Sequence, residues 1–243
     1  MTERHEGLSA SVQERPTMEP FRVPREGDLP PIHLSVLDTF RAPVEWLFRR
    51  IWKVTVHHPE RLPLRRALVA VNHVGALDGP FAVAMVPHSQ ALTKAELWNH
   101  RVVGKFLDQV GQIPIDRWNA DPDGLARCIQ SLEADRHVVI FPEGHRGPEN
   151  YERFKGGVAY LALVTGAPVV PVALVGTSTG GTGIGSIPRP GSEVHVVYGE
   201  PVVVEPKEWP RTAREVADLT QRLRSICAQH VQQAHEDLGL ELP

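Results

Sequence analysis

The sequence predicts an α/β fold: a single domain on a mostly parallel sheet flanked by helices, with an N-terminal amphipathic helical segment ahead of it. Two observations carry this. Short apolar runs of strand length recur between residues 67 and 198, separated by segments with the apolar spacing of helices. The chain also has 243 residues, enough for one sizeable core and short for two. Strands separated by helices of this length imply parallel pairing with both faces of the sheet covered.

Taken in order, residues 1–31 hold Glu, Arg, Ser and five prolines with little apolar periodicity, and read as a disordered or loosely packed arm. Residues 32–56 place Leu37, Phe40, Val44, Leu47, Phe48 and Ile51 at helical spacing, joined by Trp46 and Trp52 and flanked by Arg41, Arg49, Arg50 and Lys53. Pro43 is expected to divide this segment into two helical pieces, the second starting at the proline. The segment suits either an anchor at a membrane interface or a helix packed on the core or on a second copy of the chain. Residues 57–243 form the main domain. Its expected strands lie at 67–71, 91–94, 111–116, 137–141, 169–175 and 193–198. Its helices lie at 79–86, after 94 through 107, at 123–133 with Asp121 or Asp123 as N-cap, at 156–164 closed by Gly166, and at 211–235.

Composition removes several function classes. The net charge is −3 and the pI about 6.5, so nothing asks for a nucleic-acid partner. Cys128 and Cys227 stand far apart in no metal spacing and read as reduced thiols. Residues 1–15 are polar and charged, so no signal peptide is expected. No run of eighteen apolar residues occurs, so no membrane-spanning helix is expected.

The chemistry starts where the strand at 67–71 runs into Asn72-His73-Val74-Gly75-Ala76-Leu77-Asp78-Gly79-Pro80. Loops at the carboxyl ends of parallel strands are where such sheets bind ligands. In a continuous helix, residues five apart point well away from each other. Across a strand-to-helix turn Asp78 can fold back on His73, fix its tautomer and stabilise the imidazolium as it takes a proton. Taken alone, the spacing is a weak signal and reads more readily as a capping aspartate and a loop histidine.

Two further strand ends strengthen it. Gly111-Gln-Ile-Pro-Ile-Asp116-Arg117 and Phe141-Pro142-Glu143-Gly144-His145-Arg146-Gly147 bring arginines to the edge that holds His73. Arg117 and Arg146 have the donors to fork onto one phosphate. Glu143 is placed to accept a hydrogen bond from a substrate hydroxyl, and Gly144 to let a ligand approach the backbone. A third block, Ala167-Pro-Val-Val-Pro-Val172, precedes a glycine-rich loop.

Asn72-His73-x4-Asp78, the 111–117 block, Phe141-Pro142-Glu143-Gly144-x-Arg146 and Val169-Val-Pro-Val172 stand in the order of the four motifs of the glycerolipid acyltransferases. Over about residues 55–200 the chain resembles that family, most of all its bacterial 1-acylglycerol-3-phosphate acyltransferases. The resemblance implies a glycerol-phosphate-acyltransferase-like fold and a role in phospholipid biosynthesis. It implies that His73 deprotonates the free hydroxyl of lysophosphatidic acid with Asp78 as its orienter, and that this hydroxyl attacks the thioester of acyl-CoA or acyl-carrier protein directly. Arg117, Glu143 and Arg146 would hold the glycerol phosphate. Asn72 and Gly144 would join the substrate site, Lys94 would lie near the acceptor, and Lys155 would help fix the third motif's loop. No cofactor and no metal are expected beyond the acyl thioester as co-substrate. The expected place is cytoplasmic, peripheral on the inner face of the cell membrane. The chain departs from the pattern at His145 and Gly147, where the family usually has hydroxyl residues, and at Trp118 and Asn119, where it has a second basic residue.

Two rivals remain at this level. Gly176-Thr-Ser178-Thr-Gly180 matches the G-x-S-x-G of serine hydrolases, with Asp218 and His230 in the right order to complete a triad. A nucleophile elbow needs a helix straight after the serine, whereas a glycine-rich loop follows here. The other rival is a non-catalytic lipid-binding protein of the same fold.

Overall fold

A computed structural model describes residues 36–147, 151–178, 186–209 and 211–240. The expected arm at 1–31 and the glycine-rich loop at 179–185 lie outside them. Seven strands form one sheet: β1 (Lys53–His57), β2 (Leu68–Val71), β3 (Ser89–Lys94), β4 (Ile113–Ile115), β5 (His137–Ile140), β6 (Val169–Val175) and β7 (Glu193–Tyr198). The spatial order is β1-β7-β6-β2-β5-β3-β4. Every pair is parallel except β6 with β7.

The helices divide between the two faces. On one face α4 (Pro122–Glu133), α5 (Gly157–Thr165) and α6 (Ala213–Leu238) bury Leu132, Leu161 and Leu223 against Leu68, Val138 and Val169 of the strands. On the other, α1 (Val36–Ile51) and α2 (Asp78–Met85) cover Val69, Val139, Val170 and Val172. Alternate residues of each central strand thus serve opposite cores, so these strands are apolar on both sides. Asp121 caps α4 by accepting from Gly124 N, and Gly166 closes α5 in the left-handed region. The nine-residue helix α3 (Arg101–Gln109) follows a short 3-10 turn at Ala95–Asn99.

The N-terminal segment differs from expectation twice. Pro43 lies inside one continuous helix instead of starting a second. A proline removes one hydrogen bond, and here packing offsets that loss: Phe48, Trp52 and Phe81 meet ring to ring with centroids 4.8–5.5 Å apart. Glu45 also pairs with Arg41 and Arg49, one turn to either side. The helical segment then ends at Ile51, and residues 53–56 are strand rather than helix. The β-branched run Val54-Thr55-Val56 pairs in register with β7, so the main sheet begins at Lys53 and not after residue 56. The inner stripe of α1 therefore packs on the core, while Trp46 and Leu47 face outward. No helix among the described residues is long and apolar enough to cross a membrane.

Candidate active site

The carboxyl ends of β2, β5, β3 and β4 lie side by side, so the segments beginning at Asn72, Phe141, Ala95 and Asp116 gather at one edge, with Lys94 at the end of β3. After β3 the chain moves outward to β4 and then returns to β5, between β3 and β2. The edge holds a crevice of the kind that parallel sheets use for ligands.

The His73–Asp78 pair forms there. His73 Nδ1 lies 2.9 Å from Asp78 Oδ2. Asp78 is the first residue of α2, yet it does not cap that helix. Its Oδ2 turns back and accepts from the main-chain N–H of Val74 at 2.6 Å and of Gly75 at 2.8 Å. The tight turn depends on Gly75, where a Cβ would stand 2.4 Å from Thr177 O. Asp78 is wholly buried and His73 is partly open. With Nδ1 facing a carboxylate, the proton sits on Nδ1 and Nε2 keeps its lone pair. Phe141 lies against the imidazole, ring centroids 4.5 Å apart, and fixes its plane.

His73 opens onto a cavity of about 1090 Å³, beyond the usual span of roughly 300–1,000 Å³ for small-molecule sites. Most of its wall is apolar, including Phe48, Val83, Leu92, Leu97, Phe106 and Val158. Lys94, Arg117, His145, Arg146 and Lys155 line the same wall together with Asp116 and Asp121, a polar sector that is basic on balance. Arg117 Nη1 donates to Gly144 O at 2.8 Å, and its other end group faces Glu96 at 3.7 Å. Lys155 Nζ donates to Arg117 O. Burial, and then the Arg117 charge, lower the Lys155 ammonium from its ordinary value. The expected tie by Lys155 is present: it links the loop after β4 to the loop after β5. Gly144 has a positive φ, and a Cβ there would meet the Lys155 side chain at 2.7 Å.

Two of the expected substrate-binding residues do not line the cavity. Asn72 is 1% exposed; its Nδ2 donates to Leu174 O at 3.0 Å and its Oδ1 accepts from Leu174 N at 2.7 Å. It ties β2 to β6 where the chain leaves the strand. Glu143 is buried too, and its Oε1 accepts from His73 N at 3.1 Å. Both carry side chains that satisfy main-chain groups at a strand end, which spacing alone does not distinguish from ligand contacts. Lys94, Arg117, Gly144 and Arg146 do lie on the wall with His73. Phe141 and the apolar wall residues Phe106 and Leu107 of α3 were not singled out by sequence. Phe141 sits within a quoted block, while α3 residues carry no motif.

The hydrolase triad is not assembled. His230 Nε2 faces Val197 O at 2.9 Å, and Asp218 is exposed beside Arg214. Ser178 is not on the cavity wall. Among the described residues no three His, Cys, Asp or Glu side chains converge to hold a metal ion.

Comparison with known proteins places this arrangement. The 1-acyl-sn-glycerol-3-phosphate acyltransferase of Bacillus subtilis is 33% identical over 130 residues, 52% of this chain and 65% of that protein. A chloroplastic 1-acyl-sn-glycerol-3-phosphate acyltransferase of Arabidopsis thaliana is 26% identical over 167 residues, 61% of this chain and 47% of that protein. The chain thus spans less than two thirds of the length of these relatives. The crystal structure of the 1-acyl-sn-glycerophosphate (LPA) acyltransferase of Thermotoga maritima shares the fold, with a TM-score of 0.58 at 24% identity, covering 85% of this chain and 80% of that one. The Acyltransferase family model matches residues 53–175, from the first strand through the sixth with the His73–Asp78 turn between them, and the chain belongs to that family.

Proposed function

We propose that this protein transfers a fatty acyl group from acyl-CoA or acyl-carrier protein to the free hydroxyl of 1-acylglycerol-3-phosphate or a related lysolipid, as a step in phospholipid biosynthesis. The observation that carries the reading is the oriented imidazole of His73, held by buried Asp78, opening onto a large, mostly apolar cavity with a basic sector. The apolar wall suits acyl chains, and Lys94, Arg117 and Arg146 suit a phosphate.

In this reading His73 Nε2 takes the proton of the acceptor hydroxyl as its oxygen attacks the thioester carbonyl carbon. Asp78 stabilises the imidazolium that forms. The tetrahedral intermediate collapses with loss of the thiolate, which receives the proton from His73. The ester bond forms, the thioester bond breaks, and the histidine returns to its starting state with no acyl-enzyme. The acceptor reaches the protein at a membrane surface, on the inner face of the cell membrane.

The test supplies purified protein with acyl-CoA or acyl-carrier protein and a panel of lysolipids, and follows thiol release. Acyl transfer dependent on His73 supports the reading. Thioester or ester hydrolysis abolished by Ser178→Ala and indifferent to His73→Ala would replace it with a serine hydrolase.

A further inference from the structure

The helix α3 turns apolar side chains to solvent where a water-soluble protein would bury them. Val102 is 82% exposed, Phe106 59% and Val103 39%. Val102 and Phe106 stand one turn apart on one row, and Arg101 and Lys105 stand one turn apart on the next. Neither cation has an ion pair with a described residue, so an apolar row runs beside a row of free positive charge. The helix is seated by its other side. Gly104 approaches Trp98 so closely that a Cβ would lie 3.2 Å from its Cα, and Trp98 Nε1 donates to Asp108 Oδ1 at 2.7 Å. The single acid of the helix, Asp108, is itself exposed but is engaged by Trp98 and stands off the Val102–Phe106 row.

We infer that the Val102–Val103–Phe106 face of α3 docks on an anionic lipid surface, with Arg101 and Lys105 at the headgroups. Three features choose a bilayer as occupant. An amphipathic helix with cations flanking its apolar row is the pattern that lies in the headgroup region. Phe106 and Leu107 also form part of the wall of the His73 cavity, so the docking face continues into the site. The basic sector of that cavity has the same sign as α3, so one anionic surface complements both. This differs from an anchor on residues 32–56, whose inner stripe is spent on the core. It rests on the acyl-transfer reading only in that an acceptor held in a bilayer must pass from this surface into the cavity.

The experiment uses the full chain and its variants Val102→Asp/Val103→Asp and Arg101→Gln/Lys105→Gln, each checked for a native circular dichroism spectrum. Sedimentation is measured with vesicles of phosphatidylcholine alone and with added phosphatidylglycerol. Acyl transfer is measured with acceptor in vesicles and with acceptor in detergent micelles. The unaltered protein is expected to bind anionic vesicles, with the aspartate pair weakening this about tenfold or more and the glutamine pair removing most of the preference for anionic lipid. Turnover by the aspartate pair should fall with vesicles and hold in micelles. Unchanged vesicle binding by both variants overturns the inference, as does a dimer of the unaltered chain that the aspartate pair dissociates. Failure of the acyl-transfer reading would show separately, as vesicle binding without turnover in either medium.

Discussion

Glu143 accepts a hydrogen bond from the main-chain N–H of His73 at 3.1 Å, so the loop after β5 holds the loop that carries the base. Gly147 N donates in turn to His73 O at 3.0 Å, which clasps the residue from both sides of its backbone. We propose that the carboxylate acts as a positioning group. Glu143→Gln keeps an oxygen acceptor for that N–H and should cost less than about tenfold in kcat, whereas Glu143→Ala frees the loop and should cost about 10²-fold with KM little changed. Steady-state kinetics of both variants checks this. A rise in KM with kcat preserved would mean instead that Glu143 binds the acceptor.

Asp78 engages three donors through one oxygen, two of them main-chain N–H groups. An amide oxygen in Asp78→Asn can still accept from the main chain, so the turn survives. The charge that stabilises imidazolium does not. We expect kcat to fall about 10²–10⁴-fold, with unfolding midpoints close to those of the unaltered protein. Paired kinetics and urea denaturation read both quantities.

Asn72 makes reciprocal hydrogen bonds with the main chain of Leu174 in a fully buried position. Asn72→Ala leaves a buried N–H and a buried C=O without these partners, a loss of about 2–4 kcal/mol in unfolding free energy. Urea titration should show that loss. Intact stability with a raised KM for acceptor would return Asn72 to the substrate site.

His137 begins β5 with its ring buried, and burial, with smaller contributions from His88 and Arg136, lowers its pKa to about 4. Between about pH 4 and the ordinary histidine range near 6.5 the unfolded chain therefore binds more protons than the folded one. Stability from this group is fully present above the upper value and is lost as pH falls towards the lower, up to about 3 kcal/mol. His195 and His230 are lowered in the same direction, first by burial. Unfolding free energy should drop between pH 7 and pH 4.5, and His137→Gln should make that drop smaller. An equal drop in both proteins would contradict the assignment.

The sheet and the His73 turn were legible because each is written locally. Apolar runs such as residues 169–175 need no distant partner to read as buried strands, and a histidine straight after one marks a strand end. The helix closed by Gly166 and the cap at Asp121 follow from the same local chemistry. What escaped was set by contacts remote in sequence. Pro43 lies in a helix whose Phe48 packs on Phe81, Lys53 turns to strand where β7 offers an edge, and Asn72 bonds to Leu174. The same holds for Glu143, whose partner lies 70 residues earlier. A carboxylate or amide at a strand end signals a polar duty there, and only the fold decides between ligand and backbone.

The central claim is that His73 acts as general base in acyl transfer to a lysolipid hydroxyl. Thiol release from acyl-CoA in the presence of lysophosphatidic acid, with the two-chain product measured alongside, tests it most directly. The unaltered protein should release thiol and form product one for one, and His73→Ala should lower both on the order of a hundredfold or more. Product formation at an undiminished rate by His73→Ala would contradict the account.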